Sequence, residues 1–312
     1  MTNAAGIFFV GEAIADQRPD SKDPRCMRVS LGGSMYFGSI GCALAIPEGI
    51  ESFYVGPISE DYFGDLMMAD FQAHNVGLDY IRRTAFISMV AVVSEDGKGG
   101  NKYAFYGRNQ MNTTEHLQID DLPNDFTQKD RLFCFGSVTT TLSPSGQTLK
   151  AFALKQKKND SIILYDPNTR PSVIPDKDIY RNSLEQWVKT ASIVKASEED
   201  ILFTYPDKSF DEVAQHWLSL GVVAVFITRG ENGASVYTQK GGCNVLGLWD
   251  EHIVSTVGAG DNFNAGILTS LARKKIYTNL VASSVEFEDW AEIAAEANKI
   301  AFNHLKRINH NQ

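Results

Sequence analysis

The segment His252-Ile-Val-Ser-Thr-Val-Gly-Ala-Gly-Asp-Asn-Phe-Asn-Ala-Gly-Ile-Leu268 sets two glycines and a carboxylate at the start of a helical stretch. A β-rich run ends near Val257, and Phe263, Ile267 and Leu271 then recur every four residues, which gives one apolar helix face. Gly258 and Gly260 permit a tight turn and let backbone N–H groups approach a ligand closely. A helix starting there adds unpaired N–H donors and the positive end of its dipole, so the position suits an anion such as phosphate. Asp261 falls in the first turn, where the same field is expected to keep its carboxylate ionised. An ionised carboxylate beside a phosphate cradle can take the proton of an attacking hydroxyl, as phosphoryl transfer to an alcohol requires. Taken alone, an acid in a first turn more often just complements the dipole. Two other phosphate loops are excluded by spacing. There is no GxxxxGKS/T run, and the dinucleotide fingerprint would need a third glycine where Phe263 stands.

Short apolar runs at Gly6–Val10, Ser52–Val55, Leu132–Phe135, Ile162–Tyr165, Ile193–Val194 and Val222–Ile227 read as buried strands. Helical periods lie between them, at Met35–Ala45, Asp61–His74, Ser145–Lys157, Arg181–Lys189 and Phe210–Leu220. This alternation predicts an α/β fold with a mainly parallel central sheet and helices on both faces, in which ligands bind beyond the carboxyl ends of the strands. Residues of about 14–30 and 84–107 break the alternation. Phe86–Val93, then Gly97, Gly99 and Gly100, then Lys102–Tyr106 read as a hairpin, and the two stretches together predict a small β flap, a lid over the sheet edge. No repeat or linker divides the chain, so residues 1–312 are expected to form one domain.

Composition narrows the partners. With 43% apolar and 21% charged residues the chain can build a large core and has no need of long disordered stretches. A formal charge of −9 and no long basic run exclude a nucleic-acid grip; Lys155-Gln-Lys-Lys158 reads as a solvated helix end. The four cysteines form no CxxC pair and read as reduced thiols. Neither a signal-peptide pattern nor eighteen uninterrupted apolar residues occur, so a cytoplasmic protein without a membrane partner is expected.

Thr256-Val-Gly-Ala-Gly-Asp-Asn-Phe-Asn-Ala-Gly266 resembles DTxGAGDxFxAG, the C-terminal signature of the ribokinase-like (PfkB) carbohydrate kinases. The resemblance implies that Asp261 is the catalytic base and that Gly258, Ala259 and Gly260 form an anion hole for the transferred phosphate. Further segments agree in order, from Gly11 to about Asn298. Gly11-Glu12 with Asp16 is similar to GExxxD, whose Asp holds sugar hydroxyls through charge-assisted hydrogen bonds. Gly32-Gly33 is similar to GGxxxN, which contacts the sugar, although Phe37 replaces the Asn; Phe37 either widens the apolar part of the pocket or turns into the helix core. Val55–Gly64 is similar to VGxxGxDxFG, with Asp61 explained as a helix cap.

Phe105-Tyr106 and Arg108 fall at a fructokinase FYR motif, where Arg108 would reach sugar or phosphate. Asp166-Pro-Asn168-Thr-Arg170 resembles the DPNxR motif of fructokinases and 2-keto-3-deoxygluconate kinases. Asn168 and Arg170 would then bind substrate, while a turn-forming Asp-Pro-Asn run explains the same residues structurally. Lys195-Ala-Ser-Glu-Glu-Asp200 looks like the NxxE region in its fructokinase form, which acts on magnesium and phosphate. Lys195 would serve the nucleotide and Asp200 the metal; an N-cap Ser197 followed by first-turn acids accounts for the residues equally well. Thr228, Gly230 and Gly233 resemble a TxGxxG segment lying against ATP, and Asn298 sits in a stretch bordering adenine. Ser255 replaces an Asp that helps hold a monovalent cation in several relatives, so potassium activation is not predicted.

The expected activity is ATP- and Mg2+-dependent phosphorylation of a sugar hydroxyl, with a hexose such as fructose preferred. The alternatives are a nucleoside or 2-keto-3-deoxygluconate kinase, or a non-catalytic sugar or nucleotide sensor on the same scaffold. A sensor has no need of Asp261, and a dehydrogenase lacks its glycine fingerprint. In relatives the lid edge often pairs with a second chain, so a homodimer through the lid is open here.

Overall fold

A computed structural model describes residues 5–20, 22–85, 87–95, 101–106, 117, 119–128, 130–141 and 144–310. Period-two alternation in the apolar runs decides its layers. In β1 (Ala5–Val10), Ile7 and Phe9 join one buried cluster, and Phe8 and Val10 join another on the opposite face. The same split recurs in β8 (Arg131–Gly136), with Leu132 and Cys134 against Phe133 and Phe135, and in β9 (Ile162–Asp166), with Ile162 and Leu164 against Ile163 and Tyr165. Strands apolar on both sides need a helical layer on each face.

Those strands continue into β10 (Ile193–Ser197) and β11 (Ala224–Thr228) on one side, and β4 (Ile50–Ser59) and β5 (Ile81–Thr84) on the other. All seven are parallel. The antiparallel strands β12 (Ala234–Thr238) and β13 (Gly241–Val245) close one edge, making nine strands among the described residues. The first face is covered by α1 (Ser34–Ala45), α2 (Tyr62–Ala73), α8 (Ala259–Arg273) and α10 (Phe287–His310). The second is covered by α4 (Ser145–Lys158), α5 (Lys177–Thr190) and α7 (Phe210–Ser219). On that face Phe8 stacks on Phe53 and Phe133 at 5.0 and 4.9 Å, contacts worth about 0.5–1.5 kcal/mol each beyond burial. Shorter helices α3 (Ser137–Thr141), α6 (Glu198–Thr204) and α9 (Asn279–Ser284) complete the chain.

The helix α5 begins four residues before the expected Arg181, because Asp176 caps it by accepting from the N–H groups of Asp178 and Ile179. Asp61 caps α2 through Gly64 N–H, as expected.

The two stretches that break the alternation form a separate four-stranded sheet in the order β3 (Met27–Gly32), β2 (Ile14–Pro19), β6 (Val90–Glu95), β7 (Asn101–Tyr106). The predicted hairpin is β6 paired antiparallel with β7. Residues 21, 86, 96–100 and 107 of those stretches lie outside the described residues. Ile14, Met89, Ala91 and Val93 seat this sheet on Val138 and Val173 of the main body. Among the described residues no helix is long and apolar enough to cross a membrane.

Candidate active site

Because the sheet is parallel, the carboxyl ends of β1, β8, β9, β10 and β11 share one edge, and the loops leaving them meet the start of α8. A cavity of about 300 Å³ lies there, walled on one side by Asp16 and Tyr103 of the small sheet. Gly33, Asn168, Arg170, Lys195, Asp200 and the loop from Gly258 to Asp261 face it from the main body. A larger cavity of about 380 Å³ lies between α4 and α5 and contains none of the motif residues.

Gly258 caps α8 with φ of +77°, a left-handed conformation that favours glycine. Its Cα abuts His304, which donates from Nε2 to the Val257 carbonyl at 2.8 Å. Burial depresses the His304 pKa, so the ring is neutral, and Arg307 donates to its Nδ1. The Phe37 ring meets His304 edge-on and also faces the cavity. Where the family pattern has Asn, this chain thus has an apolar wall that backs the loop at Gly258.

Asp261 sits at the mouth of α8 facing the cavity, but the expected ionised state needs correcting. Burial, reinforced by the charge of Asp166, pushes its pKa up to about 7. Lys195, Arg170 and a hydrogen bond from Ser34 only partly oppose this. The helix field that suggested a fully ionised group is outweighed by desolvation.

Beneath the loop, Lys195 and Asp166 form a buried ion pair at 3.0 Å. Burial alone would lower the Lys195 pKa, yet Asp166 and Asp200 hold it above its ordinary value. A Cβ on Gly260 would lie 2.8 Å from Lys195 Nζ, so this ammonium lies directly against the Gly258–Gly260 loop. Asp166 Oδ2 also accepts from Asn264 at 2.7 Å, and Oδ1 accepts from the Asn168 N–H at 3.0 Å. Asn168 takes φ of +39°, as the turn reading of Asp-Pro-Asn predicts, and its side-chain amide donates to Ser34. The Arg170 guanidinium is anchored on the carbonyls of Asn168 and Thr169 and stacks 4.9 Å from the Tyr103 ring. Asn168 and Arg170 therefore have both a structural place and a face on the cavity.

Asp16 is buried, and its Oδ1 has no hydrogen-bond partner among the described residues. Burial raises its pKa to about 6, against the charges of Arg18 and Arg170. A buried carboxylate oxygen facing a cavity without a donor is suited to a ligand hydroxyl. Gly32 serves it indirectly, since a Cβ there would lie 2.5 Å from Asp16 Oδ2. Glu12 lies nearby, hydrogen-bonded to Thr139 and raised in pKa by burial.

Asp200 completes a capping box with Ser197 and accepts from Thr169 N–H at 2.6 Å. Both of its oxygens are engaged by the protein. The first-turn reading thus accounts for its position. Among the described residues no group of three His, Cys, Asp or Glu could hold a metal by itself. Arg108 lies outside the described residues.

A second cavity, of about 130 Å³, shares Thr228, Gly230, Thr256, Ala259 and Gly260 with the first. Gly233 and Asn298 border it, with Asn298 donating to the Leu246 carbonyl at 3.1 Å. Leu248, Trp249, Phe302 and Leu305 make its apolar walls. Ser255 is held by Asn309, whose side chain accepts from its N–H and donates to its carbonyl.

Sequence reasoning missed Ser34, Tyr103, Trp249 and His304. Ser34 had one visible signal, its place directly after Gly32-Gly33 at a helix start. The other three carry no motif and reach the site only through the fold.

Beside an anion cradle, a carboxylate that titrates near neutrality can take a hydroxyl proton while phosphate moves to the oxygen. Fold and site together define a phosphotransferase with a hydroxyl acceptor. The family model for pfkB family carbohydrate kinases matches residues 7–302. The fructokinase of Rhizobium leguminosarum bv. trifolii is 32% identical over 283 residues, covering 90% of this chain and 84% of its own. Among solved structures, fructokinase with bound ATP from Xylella fastidiosa superposes with a TM-score of 0.83 at 20% identity, covering 95% of this chain and 90% of its own. Aminoimidazole riboside kinase from Salmonella enterica, complexed with aminoimidazole riboside and an ATP analog, gives 0.79 at 21% identity, covering 95% and 92%. The chain belongs to the pfkB family of carbohydrate kinases.

Proposed function

We propose that the protein phosphorylates a neutral hexose, fructose first among them, using ATP and Mg2+. The observation that carries this reading is the shared loop. Ala259 and Gly260 border both the 300 Å³ and the 130 Å³ cavity, and Asp261 faces the former. A nucleobase fits between Trp249 and Phe302, its phosphates cross the glycine loop toward Lys195, and the sugar occupies the 300 Å³ cavity. Two buried carboxylates, Glu12 and Asp16, line the sugar end, which favours an uncharged sugar over a sugar phosphate. The curated relative named above, a fructokinase, supports fructose.

Asp16 Oδ1 accepts a sugar hydroxyl, and Arg170 supplies further donors from its anchored guanidinium. Asp261 then takes the proton of the attacking hydroxyl as its oxygen bonds to the terminal phosphorus. The developing negative charge meets the N–H groups at the start of α8 and the Lys195 ammonium. Magnesium, when bound, neutralises phosphate charge. Ser197, Glu199 and Asp200 bring oxygens to the same cavity, fitting an ion held mainly by phosphates and water. The small sheet acts as a lid whose Tyr103–Arg170 stack closes over the sugar and excludes water. Exposed Met27 and Val29 on the edge strand β3 support a homodimer through that lid. The absence of any disulfide among four free cysteines suits a cytoplasmic protein.

ADP release measured across fructose, other hexoses, 2-keto-3-deoxygluconate, nucleosides and fructose 6-phosphate tests the substrate. The highest kcat/KM is expected for fructose. Sugar-dependent shifts in melting without ADP release from any of them would instead establish a sensor. Asp261→Asn is expected to lower turnover roughly 10²- to 10⁴-fold while leaving ATP binding intact. Near-normal turnover in that variant overturns the assignment of the base.

A further inference from the structure

We propose that Asp166 and Asn264 are positioning residues for the transfer: the Asp166 carboxylate, held by the Asn264 amide, fixes the Lys195 ammonium beneath the Gly258–Gly260 loop, where the transferred phosphate arrives. The proposal rests on the reading of that loop as the anion hole and of Lys195 as its cation.

Strand register places the pair. On neighbouring parallel strands Tyr165 of β9 is opposite Val194 of β10, so Asp166 and Lys195 follow side by side at the carboxyl ends. A lysine is a point charge on a flexible stem, and nothing in its own geometry aims it. Asp166 supplies the aim. Its Oδ2 accepts from Lys195 Nζ at 3.0 Å and from Asn264 Nδ2 at 2.7 Å, and its Oδ1 accepts from the Asn168 N–H at 3.0 Å. These donors come from β10, α8 and the loop after β9, so the carboxylate is fixed by three separate segments. Among the described residues Asp166 is the one hydrogen-bond partner of Lys195 Nζ. Two of the three ammonium protons are thus left for a ligand, and Lys195 lines the 300 Å³ cavity.

Asn264 is buried and donates to Asp166, while its own Oδ1 has no hydrogen-bond partner among the described residues. An unsatisfied buried acceptor costs stability, which a small apolar residue at that place on α8 would avoid. The amide is accounted for by the carboxylate it holds. At position 166 an amide could not replace that carboxylate. Three donors converge there, and an amide would turn its NH2 group toward either the Asn168 N–H or the Lys195 and Asn264 donors.

The test is steady-state kinetics with fructose and ATP for Asp166→Asn, Lys195→Met and the double variant, with melting temperatures measured alongside. Asp166→Asn is expected to lower kcat about ten- to a hundredfold with the fructose KM within about twofold, because the ammonium loses its aim while the sugar end is untouched. The charge of Asp166 also acts on Asp261, and the double variant separates the two routes. On Lys195→Met, adding Asp166→Asn should cost no more than about twofold in kcat. An equal loss in both backgrounds, or an Asp166→Asn protein that melts lower but keeps wild-type kcat, overturns the proposal and leaves Lys195 in its role. Near-normal kcat in Lys195→Met removes that role and the proposal with it. If Asp166→Asn does not fold, Asn264→Ala replaces it, since it deletes the unpartnered Oδ1 together with the donor. A several-fold fall in kcat at unchanged fructose KM then supports the proposal, and an unchanged kcat overturns it.

Discussion

The Cα of Gly258 faces the imidazole of His304 so closely that a Cβ would lie 2.7 Å from Nε2. The same nitrogen donates to the Val257 carbonyl, so α10 holds the Gly258–Gly260 loop from behind. Gly258→Ala therefore meets a steric barrier as well as a left-handed backbone, which costs an ordinary residue about 1–2 kcal/mol. Turnover should fall about a hundredfold as the N–H groups at the start of α8 lose their aim. Adding His304→Ala should recover part of the loss, because it clears the space. Steady-state kinetics of the two single variants and the double variant measure that coupling, and strict additivity would contradict the contact.

Asp261→Asn should make the protein more heat-stable while disabling it. The carboxyl titrates at about 7 in the fold, against an ordinary 3.8. Because the folded pKa is raised, the ionised group destabilises the native state fully above pH 7. That penalty shrinks as pH falls from 7 and is gone below about 4. The Asn variant should thus melt several degrees above wild type at pH 8, at roughly 2 °C per kcal/mol for a chain of this size, and at the same temperature near pH 4. Calorimetry at the two pH values checks it.

Asp16→Asn should act on the sugar alone. Loss of a charge-assisted acceptor at the unpartnered Oδ1 is expected to raise the sugar KM tenfold or more, with the KM for ATP within about twofold. Wild-type sugar affinity should weaken as pH drops through about 6, where Asp16 takes up its proton. In the Asn variant that pH dependence should disappear. Sugar KM values from pH 5 to 8 decide the matter.

Trp249 offers an optical readout of the nucleotide. Of the four tryptophans, Trp187, Trp217 and Trp290 are fully buried, whereas Trp249 is 47% exposed beside the smaller cavity. ATP should change the intrinsic fluorescence. Trp249→Leu should abolish most of that change and weaken ATP binding by about tenfold, the scale of a lost base stack. An undiminished signal in the variant would place the nucleobase elsewhere.

Much of this architecture was legible in the chain because it is local. Strand runs such as Leu132–Phe135 and helical periods such as Phe210–Leu220 announce themselves within a few residues, and their alternation predicts the parallel sheet. The antiparallel edge of β12 and β13 went unread, since Gly241–Val245 is short and largely exposed. The helix α5 was read short because its first turn is polar and its start depends on the Asp176 cap. Asp200 shows the limit of a motif: its position in the sequence fits a capping acid and a metal site alike, and only the fold shows that its oxygens bind Ser197 and Thr169 while it borders the cavity.

Spacing alone set out the glycines and carboxylate at the mouth of α8, because a turn followed by a helix is written in neighbouring residues. The tertiary structure decided the chemical state of that carboxylate. Its proton affinity sums desolvation with the charges of Asp166, Lys195 and Arg170, which approach it only through the folded sheet. The same holds for Ser34 and His304, whose partners Asn168 and Val257 are distant in sequence and brought together by packing.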